Sequence, residues 1–357
     1  MDMTALLSDM IDKGASDVFI VAGLPVTWAS GGRQRRLDMA PLMPDATQSA
    51  VADIYALAGR SMAPFEESAN HDDDFSFSIA GVGRFRVNVF RQRGSVGAVI
   101  RVIPFALPRP EEFGIPDEVM ACADFNRGLV LVTGPAGAGK STTLACLIDR
   151  LNHRRSGHIV TMEDPIEFVH RHNTCIVTQR EVPTDVATYG EALRSAMRES
   201  PDVILLGEMR DHETIATAVT AAETAQLLFS TLHTTGGAST VDRIVDAFPP
   251  TQQRQIRLQL AMVLQAVVSQ QLVPAKDGGV AAAFEVMVAN TAIRNLIREE
   301  KTHQIDSVIA SSAGEGMVSM DASLFELVRA GTVAPETALR YANHHEAFSR
   351  RLSAAGL

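Results

Sequence analysis

Residues 128–142 constrain this chain more than any other stretch. An apolar run, Leu129-Val-Leu-Val-Thr133, leads straight into G-x-x-x-x-G-K-S and then into a helical pattern. A strand, a glycine-rich turn and a helix N-terminus in that order make a phosphate-binding loop. Gly134, Pro135, Ala136, Gly137, Ala138 and Gly139 form the turn, and Lys140, Ser141 and Thr142 open the helix. Glycine permits the left-handed backbone that brings successive N–H groups round a phosphate, and the helix dipole adds positive potential at the same point. Lys140 is placed to reach the β- and γ-phosphates and the Ser141 hydroxyl to hold Mg²⁺. The ligand class is therefore a nucleoside triphosphate, with Mg²⁺.

At 357 residues the chain exceeds the usual single core, so about two or three domains are expected. The net charge of −10 argues against nucleic acid as the main partner. Cys122, Cys146 and Cys175 include no C-x-x-C, which disfavours disulfides and a tetra-cysteine zinc site. The N-terminus has no basic start followed by an apolar run, and no stretch of about 18 consecutive apolar residues occurs, so a cytoplasmic protein is expected.

Residues 4–13 have helical spacing closed by Gly14, and strands are expected near 17–21, 74–79, 84–90 and 96–103. Pro104, Pro108, Pro110 and Pro116 then interrupt regular structure. Four apolar runs, near 128–133, 159–163, 203–207 and 227–231, alternate with helical stretches, the pattern of a parallel sheet covered on both faces. A last strand signal lies at 281–288, and after it the pattern is mainly amphipathic helix, as at 291–300 and 320–330. The reading is 1–103 as a small α/β domain, 104–116 as a proline-rich linker, 117–274 as an α/β nucleotide-binding core, and 275–357 as a mainly helical C-terminal subdomain.

Chemistry is expected at the C-terminal ends of the parallel strands, the edge where the phosphate loop sits. The run Asp202-Val-Ile-Leu-Leu-Gly-Glu208 has the form of a Walker B strand, its terminal acid helping to hold Mg²⁺. Another strand ends in Glu163, Asp164 and Glu167, any of which could polarise an attacking water. A further strand ends in His233, suited to sensing the γ-phosphate. His170 and His172 are read as solvated, and His71-Asp-Asp-Asp74 as a turn with capping acids. Arg84, Arg86 and Arg101 lie on expected strands of the first domain, where an arginine is either a solvated face residue or an anion ligand; spacing does not choose between them.

These segments resemble the type IV pilus retraction ATPases of the secretion-ATPase superfamily. The resemblance runs along nearly the whole chain. It rests on Arg84-Phe-Arg-Val-Asn88, the phosphate loop, the Asp box from Glu163 to His170, Thr178-Gln-Arg-Glu-Val182, Gly207-Glu-Met-Arg-Asp211, the His box Ser230-Thr-Leu-His-Thr234, and the 292–299 motif Ala-Ile-Arg-Asn-Leu-Ile-Arg-Glu. It implies a homohexameric motor whose subunits have a PAS-like N-terminal domain and a RecA-like core with an appended helical part. It further implies that Glu163 positions or activates water, Glu208 is the Walker B acid, His233 senses the γ-phosphate, and Arg86 and Arg101 supply positive charge. The implied partners are an inner-membrane pilus platform protein, reached from the cytoplasmic face, and a paralogous retraction ATPase. Ala225-Gln226 stands where many relatives carry Gly-His, and the Gln270-Gln-Leu-Val-Pro274 segment leans toward the accessory paralogue. An accessory subunit that hydrolyses little by itself, or a secretion or DNA-transfer ATPase, stays open at this point.

Overall fold

The computed structural model describes residues 1–103 and 106–357; Pro104, at the start of the expected connector, lies outside the described residues. The chain divides into two units, Met1–Ala106 with Glu167–Val169, and Leu107–Ile166 with His170–Leu357.

In the first unit six strands, β1 (Asp17–Ile20), β2 (Thr27–Ser30), β3 (Arg33–Arg36), β4 (Asp72–Ile79), β5 (Gly83–Gln92) and β6 (Ser95–Ile103), form a sheet in the order β3-β2-β1-β6-β5-β4. All its pairings are antiparallel. Strand alternation sorts its residues: Phe85, Val87 and Val89 of β5 are fully buried, whereas Arg84, Arg86 and Asn88 face the other way. The buried face packs against helices Met3–Asp12 and Pro44–Leu57 through Leu7, Met10, Val51 and Ile54. This is the small PAS-like α/β unit.

The second unit is built on seven strands, β7 (Gly128–Thr133), β8 (Gly157–Glu163), β9 (Cys175–Glu181), β10 (Val203–Leu206), β11 (Leu227–Leu232), β12 (Leu264–Pro274) and β13 (Val280–Val288), in the order β13-β12-β7-β11-β10-β8-β9. All neighbours are parallel except the β12–β13 pair at one edge. Every residue of β7, β10 and β11 is buried, because helices cover both faces. One face packs against helices such as His212–Glu223, Gly237–Asp246 and Pro250–Val263, the other against Lys140–Arg154. The far ends of β12 and β13 carry a separate apolar cluster in which Val273 and Ala283 meet Leu324, Val328 and Phe348 of the C-terminal helices. The architecture is thus a RecA-like parallel sheet with a helical C-terminal portion.

The expected strands all form, with ends shifted by a few residues. Four others have no strong apolar signal. The exposed Arg33–Arg36 strand is polar throughout, β2 is four residues long, β9 is a half-polar edge, and β12 is interrupted by Ser269 and Gln270. The acids read as a turn at 72–74 instead open β4; their carboxylates accept hydrogen bonds from Asn88, Tyr55 and Arg86 across the sheet edge.

Phe85 has no exposed surface and stacks on Phe77. Phe85→Ala is expected to destabilise the N-terminal unit by about 3–5 kcal/mol. Urea unfolding followed by the fluorescence of Trp28, the single tryptophan and itself buried in this unit, reads that change.

Candidate nucleotide site

The phosphate loop leaves β7 at Thr133 and turns into helix Lys140–Arg154. Gly134 has φ 142° and sits so close to β12 that a Cβ there would collide with the Gln270 carbonyl oxygen. Gly139, at φ 86°, caps the helix in the left-handed region. These two positions need glycine on steric grounds. Pro135, Ala136 and Gly137 form the exposed crest, and Ala138 is buried beneath it. The Lys140 ammonium donates to the carbonyl oxygens of Gly134 (2.8 Å) and Pro135 (2.9 Å). Ser141 and Thr142 occupy the first helical turn, half-buried.

Parallel pairing carries three further side chains to the same sheet edge. Glu163 ends β8, and its carboxylate accepts from Thr161 Oγ1 (2.6 Å) and from Gln179 Nε2 (3.1 Å) of the adjacent β9. Glu208 follows β10, accepts from Arg210 Nε (2.8 Å), and lies 3.3 Å from His233 Nε2 at the end of β11. A bare Gly207 backbone lets β10 pass close to β8, with the Gly207 N–H donating to Met162 O (2.8 Å). The acids at the two strand ends are thereby neighbours. His233 is half-exposed whereas Glu208 is 17% exposed, so the histidine stands at the mouth and the acid within.

Arg86 and Arg101 are brought together on the first unit. They are register partners on β5 and β6, with Arg86 bonded to Asp74 and Arg101 Nε to Asp17 (3.0 Å). Both of these arginines are matched by a carboxylate, which offsets the repulsion of like charges set side by side.

Several residues that matter here were given no site role from the sequence. Gln179 holds Glu163 with its amide nitrogen while its amide oxygen accepts the His170 backbone N–H (2.7 Å). Ser269 accepts the Gly236 N–H (2.9 Å), and its cross-strand partner Glu285 accepts the Gly237 N–H (2.9 Å), so the loop after His233 is tied at two points to the β12–β13 pair. Burial raises the pKa of Glu285 above the usual carboxylate range, and the Gly237 N–H opposes that shift. Amides and small hydroxyls carry no recognisable spacing, so only pairing distances reveal them.

One sequence expectation is corrected. His172 is exposed, but His170 is buried, with burial lowering its pKa to about 4. Gln226, a departure from the resemblance, precedes β11 at the opposite end from His233. Seven residue steps separate the two, roughly 23 Å at about 3.3 Å each. Gln226 therefore bears on the far edge of the sheet, where it bonds Thr224.

A glycine-rich loop on a helix N-terminus, with acids delivered by neighbouring parallel strands, defines a P-loop protein of the RecA-like class. Residues 2–312 match the family described as Type II/IV secretion system protein, and the chain belongs to that family. It is 47% identical over 348 residues to the type IV pilus retraction ATPase PilT of Pseudomonas aeruginosa, spanning 98% of this chain and 100% of that protein. To the type IV pilus ATPase PilU of the same organism it is 39% identical over 344 residues, 96% of this chain and 89% of that one. The crystal structure of the pilus retraction motor PilT with bound ADP superposes with a TM-score of 0.89 at 43% identity, covering 98% and 99% of the two chains. Among the described residues no helix is long and apolar enough to cross a membrane.

His170 gives the fold an acid sensitivity. Its ordinary pKa is 6.5, and burial holds the folded imidazole neutral down to about 4. Below pH 6.5 the unfolded chain gains a proton that the folded chain refuses, so stability falls as pH drops toward 4. At pH 5 the loss relative to pH 7.5 is up to about 2 kcal/mol. His170→Phe, compared with the parent by urea unfolding at both pH values, is expected to lose less stability on acidification.

Proposed function

We propose that this protein is a motor ATPase that hydrolyses ATP to drive type IV pilus retraction, working as a homohexamer at the cytoplasmic face of the inner membrane. The convergence of Lys140, Glu163, Glu208 and His233 on one sheet edge carries the reading, in a chain similar over its full length to a pilus retraction ATPase. Its higher identity to that protein than to PilU favours the main motor over the accessory role. The inner-membrane platform protein and a paralogous retraction ATPase are the partners.

In this reading backbone N–H groups from 134–142 and the Lys140 ammonium bind the phosphates and neutralise charge as it develops. Lys140 exchanges the loop carbonyls it now meets for phosphate oxygens. Glu163, oriented by Thr161 and Gln179, accepts the proton of the attacking water while the bond from the γ-phosphorus to the bridging oxygen breaks. His233 reports the presence of the γ-phosphate to Glu208 and Arg210. The Ser141 hydroxyl and Glu208 carboxylate are hard oxygen donors of the kind Mg²⁺ prefers, and Mg²⁺ when bound lowers the phosphate charge. Residues 1–103 act as the N-terminal domain, with Arg86 and Arg101 as its anion ligands; 104–116 is the linker, 117–274 together with the β13 strand is the ATPase core, and the rest of 275–357 is the helical subdomain that holds the 292–299 motif.

Steady-state Mg²⁺-dependent ATP hydrolysis by the purified oligomer tests this. Glu163→Gln is expected to keep nucleotide affinity and lose at least about a hundredfold in turnover, the scale of a lost general base. Lys140→Ala should lose both binding and turnover. Near-normal turnover in Glu163→Gln would remove that residue from the chemistry, and a parent that binds ATP without hydrolysing it would identify an accessory subunit. Gln179→Leu, which leaves Glu163 without its amide donor, should lower kcat by about tenfold with ADP affinity little changed; an equal loss in affinity would mean that Gln179 supports the loop instead.

A further inference from the structure

We infer that Gln270 of β12 is a positioning residue of the nucleotide site, holding the phosphate loop in its binding shape before nucleotide arrives. This deepens the ATPase reading above and rests on it.

Gln270 is 2% exposed and lies one step past the β7–β12 pairing of Thr133 with Ser269, level with the start of the loop. Its contacts span the whole turn. At the near end its own carbonyl oxygen fills the space a side chain at Gly134 would need. At the far end its amide nitrogen donates to the Ala138 carbonyl oxygen, and its amide oxygen accepts from Thr143 Oγ1 (2.8 Å) in the first turn of the following helix. A Cβ on Gly139 would stand 3.1 Å from the same amide nitrogen.

A buried amide is costly unless both ends are used, and here both are, by the loop and by the helix that follows it. The contact also sets a direction. In a planar trans peptide the C=O and the next N–H point to opposite sides, so fixing the Ala138 oxygen on β12 turns the Gly139 N–H away from that strand and into the loop. That N–H belongs to the set a phosphate needs. Without the amide, the 138–139 peptide is free to rotate, only a fraction of molecules holds the binding-competent loop, and apparent affinity falls by that fraction. Thr143 belongs to the same device, since its hydroxyl is the other anchor of the amide.

The role separates from simple support of the core by what it changes. Gln270→Met keeps the length of the side chain and removes both hydrogen bonds; Thr143→Val removes one, and Thr143→Ser keeps the hydroxyl. Equilibrium titration with fluorescent ADP, beside thermal unfolding without nucleotide, is the measurement. Gln270→Met is expected to weaken ADP binding by at least about tenfold, equivalent to about 1.4 kcal/mol. Thr143→Val should weaken it by about threefold or more and Thr143→Ser by less than about twofold, with the unliganded Tm of both Thr143 variants within about 3 °C of the parent. ADP affinity within about twofold of the parent in a folded Gln270→Met protein overturns the inference. So does equal affinity in the two Thr143 variants, and that pair alone decides if Gln270→Met fails to fold. A parent that does not bind ADP overturns the ATPase reading itself; a parent that binds, with variants that bind equally, overturns only the role of Gln270.

Discussion

Parallel pairing of β7 with β11 on one side and β12 on the other is the constraint from which the rest of the catalytic unit follows. Strands running the same way end at the same edge, so each successive chain segment delivers its last residue to the loop that β7 throws out. With both faces covered by helices, the strands themselves are apolar and the polar residues are confined to their ends. Glu163, Glu208 and His233, distant in sequence, become neighbours because β8, β10 and β11 are adjacent in the sheet.

The site is held by hydrogen bonds from beneath as much as by the residues that face its mouth. Thr161 and Gln179 orient Glu163, Arg210 and His233 flank Glu208, and the Ser230 and Thr231 hydroxyls tie β11 to the carbonyls of Leu206 and Gly207. The β12–β13 pair does the same for the loops: Gln270 underlies the phosphate loop, while Ser269 and Glu285 secure the turn after His233. Charges and dipoles placed in advance need no reorganisation when the phosphate charge develops, which is the main source of rate enhancement in phosphoryl transfer. The same pair anchors the C-terminal helices at its far end, through Val273 and Ala283. One element thus joins the nucleotide loops to the helical portion.

Much of this was legible without coordinates. The central strands were plain because burial on both faces demands uninterrupted apolar runs, and the phosphate loop was plain because its glycines have a steric reason to be where they are. The strands that escaped, β2, β3, β9 and β12, are short, lie at edges or carry polar residues whose purpose is a tertiary contact. His170 misled for a related reason. A histidine between exposed neighbours reads as solvated, and only the packing of the 166–170 segment buries it.

By itself, the order of residues determined the phosphate loop, the strand-end acids and the class of ligand, because local sterics and the two-residue and 3.6-residue periods act on neighbouring residues. Tertiary structure decided which acid is oriented by Gln179, that His233 stands beside Glu208, that Gln226 belongs to the far edge, and that Gln270 lies under the loop. The contacts of Gln179, His233 and Gln270 join segments from 16 to 127 residues apart. Their partners are common polar side chains with no spacing of their own, so nothing in the linear order marks them until the sheet closes.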